Sequence, residues 1–287
     1  MSASCNVVNE VTIDIGPMTL RGKRWGDQQG LPVIALHGWL DNCASFDFVA
    51  PMLNVDLLAL DLAGQGQSDH RSGLAAYNIW QDVAEVIAVA DHFGWKKFGL
   101  IGHSRGAMIA TLIAGTFPER VSHLALIESF VPQPLPAEDA PGQLAAAVNV
   151  LLKLKKRRNT YESFAAAVKA REHGMLKLCH QNALVLAKRG VEQDSAGLFY
   201  WNYDIKLNAP SELKFTETQL WAFVQRITIP IEVVVGEQGL MNDFEHFKPF
   251  VELTQNLTIH NLEGDHHLHM SKQCEPIAAI FNGYFNR

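Results

Sequence analysis

The chain has 287 residues, of which 48% are hydrophobic and 19% charged, and its net charge is −6 with histidine neutral. This composition excludes a disordered or fibrous chain, and the mild acidity argues against a nucleic-acid partner, which would need a basic face to neutralise phosphates. The length fits one α/β domain that carries an insertion.

The N-terminal region predicts an antiparallel hairpin. Apolar and polar residues alternate over 6–15 and 18–25, and Gly16-Pro17 separates the two runs. We find no basic start followed by an apolar signal segment, and no apolar window of the roughly 18 residues that a membrane span needs. We therefore expect a cytoplasmic protein without a transmembrane segment. Scattered cysteines without CxxC spacing are expected to be free thiols, namely Cys5, Cys43, Cys179 and Cys274.

Five short apolar runs bounded by Gly, Pro or Asp predict strands that are buried on both faces, as in a parallel sheet, and 257–262 is predicted as a closing strand. Helical periodicity over 79–93 and 107–117 lies between them and predicts right-handed βαβ units. A last helix is predicted over 275–285. The predicted strands are 32–36, 55–60, 98–101, 121–127, 231–235 and 257–262.

The interval 131–226 interrupts this alternation, because it contains no apolar run typical of a buried strand. Helices inserted after the sixth strand are expected to form a cap over the carboxyl edge of the sheet, where open α/β sheets bind ligands. We therefore divide the chain into a core, 1–130 and 227–287, and a helical cap, 131–226. The helical stretches are 144–154, 161–169 and 175–188.

The segment Gly102-His103-Ser104-Arg105-Gly106 joins a predicted strand to a predicted helix. In this context a GxSxG turn is a nucleophile elbow, because small residues on both sides let a sharply turned backbone present the serine hydroxyl. The bare pattern is common, and its strand–turn–helix context makes it specific. We predict Ser104 as a nucleophile, with an inert serine in a tight turn as the alternative.

The segment His37-Gly38-Trp39 follows the first buried strand, where a loop can direct a backbone N–H toward the elbow. The Trp39 N–H and the Arg105 N–H are predicted to form the oxyanion hole for a tetrahedral intermediate. The residues expected to contact the substrate are His37, Gly38, His103 and Phe130.

The segment GDHHLHM, 264–270, follows the last predicted strand, where the base of a catalytic triad is expected. We predict His266 as that base and His267 and His269 as its packing or hydrogen-bonding neighbours. The spacing of His266 and His269 also suits a metal, but no third ligand is evident nearby, and we expect no metal site.

The segments HGW, DLAGQGQSD, GHSRGA and GDHHLHM occur in the order and approximate spacing of the α/β-hydrolase superfamily, which the chain resembles over essentially its whole length. Among its branches, the chain most resembles the serine-hydrolase-like proteins, through GDHHLHM and 200–227. The resemblance implies an α/β-hydrolase fold, with a mostly parallel central sheet flanked by helices and a helical cap after the sixth strand. It also implies a Ser–His–acid triad, a match of His266 to the family base and no cofactor.

The acid of this triad departs from the family pattern. Most members carry Gly-Glu-x-Asp after the strand equivalent to 231–235, whereas this chain has Gly239 in place of the aspartate. Some branches, such as certain haloalkane dehalogenases, carry the acid at the end of the preceding strand, where this chain has Glu128. A charge at the end of a buried strand is costly unless it is paired, so we predict Glu128 as the acid. Asp243 is the alternative, and Glu237 or a dyad supported by water also stays open.

These residues predict a serine hydrolase of the carboxylesterase type, EC 3.1.1, that acts on a small-molecule ester with an apolar portion. Haloalkane dehalogenases and epoxide hydrolases use an aspartate at the elbow. This chain has a serine there, so neither activity is implied. The basic run 153–158 is interpreted as a solvated helix face. The alternatives are a thioesterase, lactonase or C–C bond hydrolase on the same triad, and a non-catalytic binding protein that retains the fold.

Overall fold

The computed structural model describes residues 8–154, 158–174 and 176–287. Four features of the sequence predictions lie outside these residues: Cys5, the start of the first strand at 6–7, the centre of the basic run at 155–157, and Met175.

One eight-stranded sheet forms the centre of the molecule, and a separate two-stranded sheet lies in the predicted cap. The strands are β1 (Asn9–Asp14), β2 (Thr19–Trp25), β3 (Pro32–Leu36), β4 (Asp56–Asp61), β5 (Phe98–His103), β6 (Val121–Ile127), β7 (Val191–Gln193), β8 (Phe199–Trp201), β9 (Ile231–Gly236) and β10 (Leu257–Leu262). The helices are α1 (Ile79–His92), α2 (Arg105–Thr116), α3 (Ala140–Lys153), α4 (Phe164–Glu172), α5 (His180–Gly190), α6 (Glu217–Val224), α7 (Phe247–Leu253) and α8 (Cys274–Phe285).

The central sheet has the strand order β1-β2-β4-β3-β5-β6-β9-β10. Strand β2 pairs antiparallel with β1 and β4, and the remaining neighbours pair in parallel. Every residue of β4, β5 and β9 is buried, which is why their sequences read as apolar runs without alternation. The predicted fold class is confirmed.

Helices cover both faces of this sheet. Buried residues of α1, α2 and α6 pack on one face, among them Val89 and Ile109, and α8 packs on the other through Ile277 and Phe281. A third apolar cluster lies between α4 and α5, and Leu186 is one of its residues. Burying a side chain of this size stabilises the fold by about 1.5–3 kcal/mol.

Two short helices, α6 and α7, are absent from the sequence predictions. Leu220 and Val224 of α6 lie in the main core, and Gly115 of α2 permits this contact, because an added Cβ there would lie 2.5 Å from the Phe223 carbonyl oxygen. The helix therefore packs with the core, although it falls within 131–226. Division of the chain into core and cap stays a prediction.

The position of the site follows from the strand order. The chain proceeds from β3 to β4 on one side and then crosses to β5 on the other, so the loops after β3 and β5 diverge and leave a crevice at the carboxyl edge. Within the described ranges, no helix is long and apolar enough to span a membrane.

Candidate active site

Ser104 lies in the turn between β5 and α2, with φ 51° and ψ −115°. An L-residue adopts such a backbone only where its surroundings enforce it. Glycines on both sides allow the turn. An added Cβ at Gly102 would lie 2.4 Å from the backbone of the following helix, and one at Gly106 would lie 2.0 Å from the Leu36 carbonyl oxygen. The Ser104 N–H donates to the Ile127 carbonyl over 2.9 Å, which ties the elbow to β6.

His266, in the loop between β10 and α8, joins Ser104 to Glu128. Its Nε2 lies 2.9 Å from Ser104 Oγ, and its Nδ1 lies 3.1 Å from Glu128 Oε2. An ionised carboxylate only accepts hydrogen bonds, so Nδ1 carries the proton and Nε2 accepts from the serine hydroxyl. His103 Nε2 donates to the His266 carbonyl oxygen over 2.8 Å, which holds the loop in place. The three side chains predicted as the triad form one hydrogen-bonded chain.

Glu128 directly follows β6, has φ 59° and is 2% exposed. The Gly236 N–H donates to its Oε1 over 2.7 Å, while its Oε2 faces His266. Gly239 leaves room for this carboxylate, since an added Cβ there would lie 2.0 Å from Oε1. A side chain at 239 and the carboxylate of Glu128 would therefore occupy the same space.

The alternative acids lie elsewhere. Asp243 is exposed, in a single helical turn at 240–243, and its carboxylate makes no hydrogen bond or ion pair to another described residue. Glu237 is exposed as well. Of the three carboxylates considered, Glu128 is the one hydrogen-bonded to His266.

Arg105 directly follows Ser104, and Trp39 follows Gly38, where an added Cβ would lie 3.0 Å from His103 Nδ1. The Trp39 N–H has no hydrogen-bond partner among the described residues, and the Arg105 N–H, in the first turn of α2, has none within its helix. The Arg105 side chain donates to Asp82 over 2.6 Å, away from the site. Both amides are free to donate to an oxyanion, which the N-terminal end of the α2 dipole also favours.

The four predicted substrate contacts are buried. His37, His103 and Phe130 are each 0% exposed, and both ring nitrogens of His37 are used, by the Gly38 carbonyl and by the Leu62 N–H. Gly38 is also buried. The burial favours a structural role for these residues, which shape the loops around the elbow.

Asp41 is a buried residue of the site that the sequence reasoning missed. It is 3% exposed, and its carboxylate accepts from Arg171 over 2.8 Å and from His267 over 3.1 Å. Burial alone would raise the pKa of Asp41, but the His267 hydrogen bond and charge, together with Arg171, hold it well below its ordinary value. This network joins the loop after β3 to α4 and to the loop that carries His266.

Within the described part of the chain, a related group of side chains has ligand atoms close enough to hold a metal. Ligand atoms of Asp41, His103 and His267 lie within 4.8 Å of one another. Both oxygens of Asp41 already accept hydrogen bonds, however, and the adjacent Arg171 cation opposes a second positive charge. We therefore interpret this cluster as a hydrogen-bonded network.

A cavity of about 240 Å³ lies between the loop after β3 and the predicted cap. Trp39 and Leu40 line it from the loop, and the remaining described walls come from α4, the residues on either side of it and the end of β8: Tyr161, Ala170, Arg171, Gly174, Leu176, Trp201 and Tyr203. The described residues thus place a largely apolar cavity directly beside one predicted oxyanion donor.

Comparisons with known proteins agree with this architecture. A family model described as the alpha/beta hydrolase fold matches residues 32–282. A crystal structure of a hypothetical protein from Pseudomonas aeruginosa PAO1 is 37% identical and superposes with a TM-score of 0.92, over 97% of this chain and 99% of that one.

Curated relatives are similar over most of their length. A serine hydrolase-like protein of Danio rerio is 27% identical over 92% of this chain and 84% of its own. Serine hydrolase-like protein 2 of Homo sapiens is 25% identical over 99% of this chain and 96% of its own. These names match the branch that the sequence resembles.

Proposed function

The chain belongs to the α/β-hydrolase fold family, and from this premise we propose that it is a serine hydrolase that cleaves small-molecule carboxylic esters, an activity of the EC 3.1.1 type. The hydrogen-bonded chain from Ser104 through His266 to Glu128 carries the proposal. The serine hydrolase-like relatives support it. Water and groups of the chain supply every step, so the reaction requires no cofactor.

Acylation begins with the Ser104 hydroxyl. His266 Nε2 takes its proton while Oγ attacks the ester carbonyl, and the Trp39 and Arg105 N–H groups donate to the resulting oxyanion. The imidazolium then gives the proton to the leaving alcohol oxygen as the C–O bond breaks. An acyl group remains on Ser104.

Deacylation repeats these transfers with water. His266 Nε2 takes a proton from water, the hydroxide attacks the acyl carbonyl, and Ser104 leaves with the proton. Glu128 stays ionised and stabilises the imidazolium in both halves through the Nδ1 proton. A 3.1 Å contact to a 2% exposed carboxylate suits this task.

Two other parts of the proposal rest on sequence features. We assign 131–226 to a cap that covers the substrate, and we assign the protein to the cytoplasm. The described cysteines, Cys43, Cys179 and Cys274, are free, as a reducing compartment requires.

The test is covalent labelling by a fluorophosphonate. We expect the wild-type protein to label, Ser104→Ala to lose labelling, and Glu128→Gln to label about 10⁴-fold more slowly, because a neutral amide does not stabilise the imidazolium. Asp243→Asn is the matched control and should label at the wild-type rate. Circular dichroism shows whether each variant is folded.

Two results would contradict the proposed activity or its nucleophile, and a third would contradict Glu128 as the acid. A folded wild-type protein that does not label would favour a non-catalytic binding protein. Equal labelling of Ser104→Ala would show that another residue reacts. A slow Asp243→Asn beside a normal Glu128→Gln would move the acid to Asp243.

A further inference from the structure

We propose that the cavity beside Trp39 binds an uncharged aromatic ring of the ester substrate, with a hydrogen-bonding oxygen on that ring. The inference rests on the proposed function and adds the substrate class. The ring belongs to the acyl or to the alcohol part of the ester, and the experiment below separates the two.

The cavity lies next to the reacting centre. Trp39 lines it and also supplies a proposed oxyanion donor. The preceding residue, Gly38, packs so closely on the elbow that an added Cβ would lie 3.0 Å from His103 Nδ1. The proposal therefore places the ring beside the loop that carries Trp39, with a short linker to the carbonyl at Ser104.

Aromatic side chains dominate the walls: Trp39, Tyr161, Trp201 and Tyr203 line the cavity. Both indole rings are anchored, because Trp39 Nε1 donates to the Leu207 carbonyl and Trp201 Nε1 to the Ala167 carbonyl, each over 3.0 Å. A preorganised aromatic lining favours an aromatic ligand over an alkyl group of equal size.

The charge of the lining favours an uncharged ligand over an ionic one. Among the described residues that line the cavity, Arg171 is the one with a charged side chain, and it donates to the buried Asp41 and to the Leu176 carbonyl. A ligand carboxylate would have to compete with Asp41 for the guanidinium. A ligand cation would meet the positive charge of Arg171.

Two phenols remain available to a ligand. Neither the Tyr161 hydroxyl nor the Tyr203 hydroxyl has a hydrogen-bond partner in the described part of the chain, and both side chains are half-buried. Burial raises the pKa of Tyr161, so its phenol stays neutral and can donate. A ring oxygen placed between these phenols would take the place of the water that half-buried hydroxyls otherwise bind.

The volume sets the size of the group. About 240 Å³ is below the roughly 300–1,000 Å³ of sites that hold drug-sized ligands. The cavity therefore suits one substituted ring with a short linker and is too small for a fused polycyclic group.

The experiment compares matched esters in a pH-stat. The acyl arm uses ethyl 3-phenylpropanoate against ethyl 3-cyclohexylpropanoate, and the alcohol arm uses 3-phenylpropyl acetate against 3-cyclohexylpropyl acetate. The ring is remote from the carbonyl, so each pair has equal intrinsic reactivity. We expect kcat/KM to be about fivefold higher for the phenyl member of one arm.

Ring substituents and variants test the polar part. In the preferred arm, a 4-hydroxyl should raise kcat/KM about fivefold, and a 4-carboxylate should lower it at least as much. The double variant Tyr161→Phe/Tyr203→Phe should lose the hydroxyl preference and keep the phenyl preference. Ala170→Phe, on α4 at the cavity wall, should abolish both, whereas Ala165→Phe, exposed on the same helix, should change neither.

The outcomes separate this inference from the proposed function. If Ser104 labels with the fluorophosphonate but the phenyl and cyclohexyl esters have equal kcat/KM in both arms, the inference is overturned and the proposed function stands. A carboxylate tolerated as well as a hydroxyl overturns the uncharged class. Calorimetric titration of Ser104→Ala with the 4-hydroxyphenyl ester of the preferred arm gives a readout without catalysis. No difference in affinity between Ala170→Phe and Ala165→Phe in that background contradicts this cavity as the site.

Discussion

At the scale of single residues, Gly239 and Glu128 depend on each other. The carboxylate lies where a Cβ at 239 would lie, at 2.0 Å from Oε1. Each position therefore restricts the other. Strands β6 and β9 pair in parallel, so an acid that follows either strand would reach the same imidazole. The missing aspartate is thus compatible with a complete triad.

This dependence predicts that the acid can be moved. Glu128→Gly should reduce kcat about 10⁴-fold by removing the carboxylate, while its φ of 59° suits glycine. Adding Gly239→Asp should recover at least about tenfold, since the aspartate enters the vacated space. Gly239→Asp alone should be slow and less stable because two carboxylates collide.

Kinetics of the three variants, with thermal melts, measure this coupling. Rates for Glu128→Gly/Gly239→Asp that do not exceed those of Glu128→Gly would show that an aspartate at 239 cannot replace Glu128 beside His266.

At the scale of elements, the elbow depends on close contact between α2 and β3. Gly106→Ala should destabilise the protein by about 3 kcal/mol, because its Cβ would lie 2.0 Å from the backbone carbonyl oxygen of Leu36. Gly283→Ala in α8 is the control, since nothing lies within 4 Å of its added Cβ. It should stabilise the helix by about 0.5–1 kcal/mol. Urea unfolding distinguishes the two, and equal effects would contradict the packing argument.

A buried ion pair joins the predicted cap to the core at the same scale. Arg189 of α5 donates through Nε to Asp61 at the end of β4, at 2.8 Å and 3.1 Å, and Asp61 is 0% exposed. Arg189→Met should cost about 3–5 kcal/mol, because it leaves a buried carboxylate without its partner.

The neighbouring Lys188 is exposed, so Lys188→Met should change stability by no more than about 0.5 kcal/mol. Urea unfolding of both variants tests the link. If Arg189→Met lowers the free energy of unfolding as little as Lys188→Met does, the buried Asp61 tolerates the removal of its ion pair.

Elements were predictable where one local signal suffices. The apolar run Val121–Ile127 matches β6 residue for residue, and Ser104 follows from its motif between a strand and a helix. Contacts remote in sequence left no such signal: Asp41 and His267 are 226 positions apart. Helix α6 was missed because eight residues give little periodicity. Glu128 could be proposed because a charge that ends a buried strand needs a partner, but the space at Gly239 exists only in the folded chain.

At the scale of the whole molecule, the strand order brings several histidines to one buried place. His103 is the last residue of β5, and His269 lies in the loop between β10 and α8. Both are 0% exposed, and their ring centroids are 4.2 Å apart. Burial, with the nearby His266 and His267, lowers the pKa of both. The fold therefore holds them neutral.

Acid should destabilise the protein through these two histidines. Burial lowers the pKa of His269 from 6.5 to about 3, so between these values the unfolded chain binds a proton that the folded one does not. Stability is then complete above the unfolded pKa and is lost as the pH falls below about 6.5. A pH of 5.0 is 1.5 units below the unfolded pKa of 6.5. The contribution of His269 to the free energy of unfolding should therefore be about 2 kcal/mol smaller at pH 5.0 than at pH 7.5.

Urea unfolding of His269→Gln at pH 7.5 and pH 5.0 measures this contribution. The difference between the two pH values should shift by about 2 kcal/mol relative to wild type, whereas His173→Gln, at an exposed position, should leave it unchanged. Glu85 acts in the opposite direction, because burial and Asp82 raise its pKa to about 7, so the comparison between variants is the decisive quantity. A wild-type pH dependence in His269→Gln would mean that His269 is not held neutral by the fold.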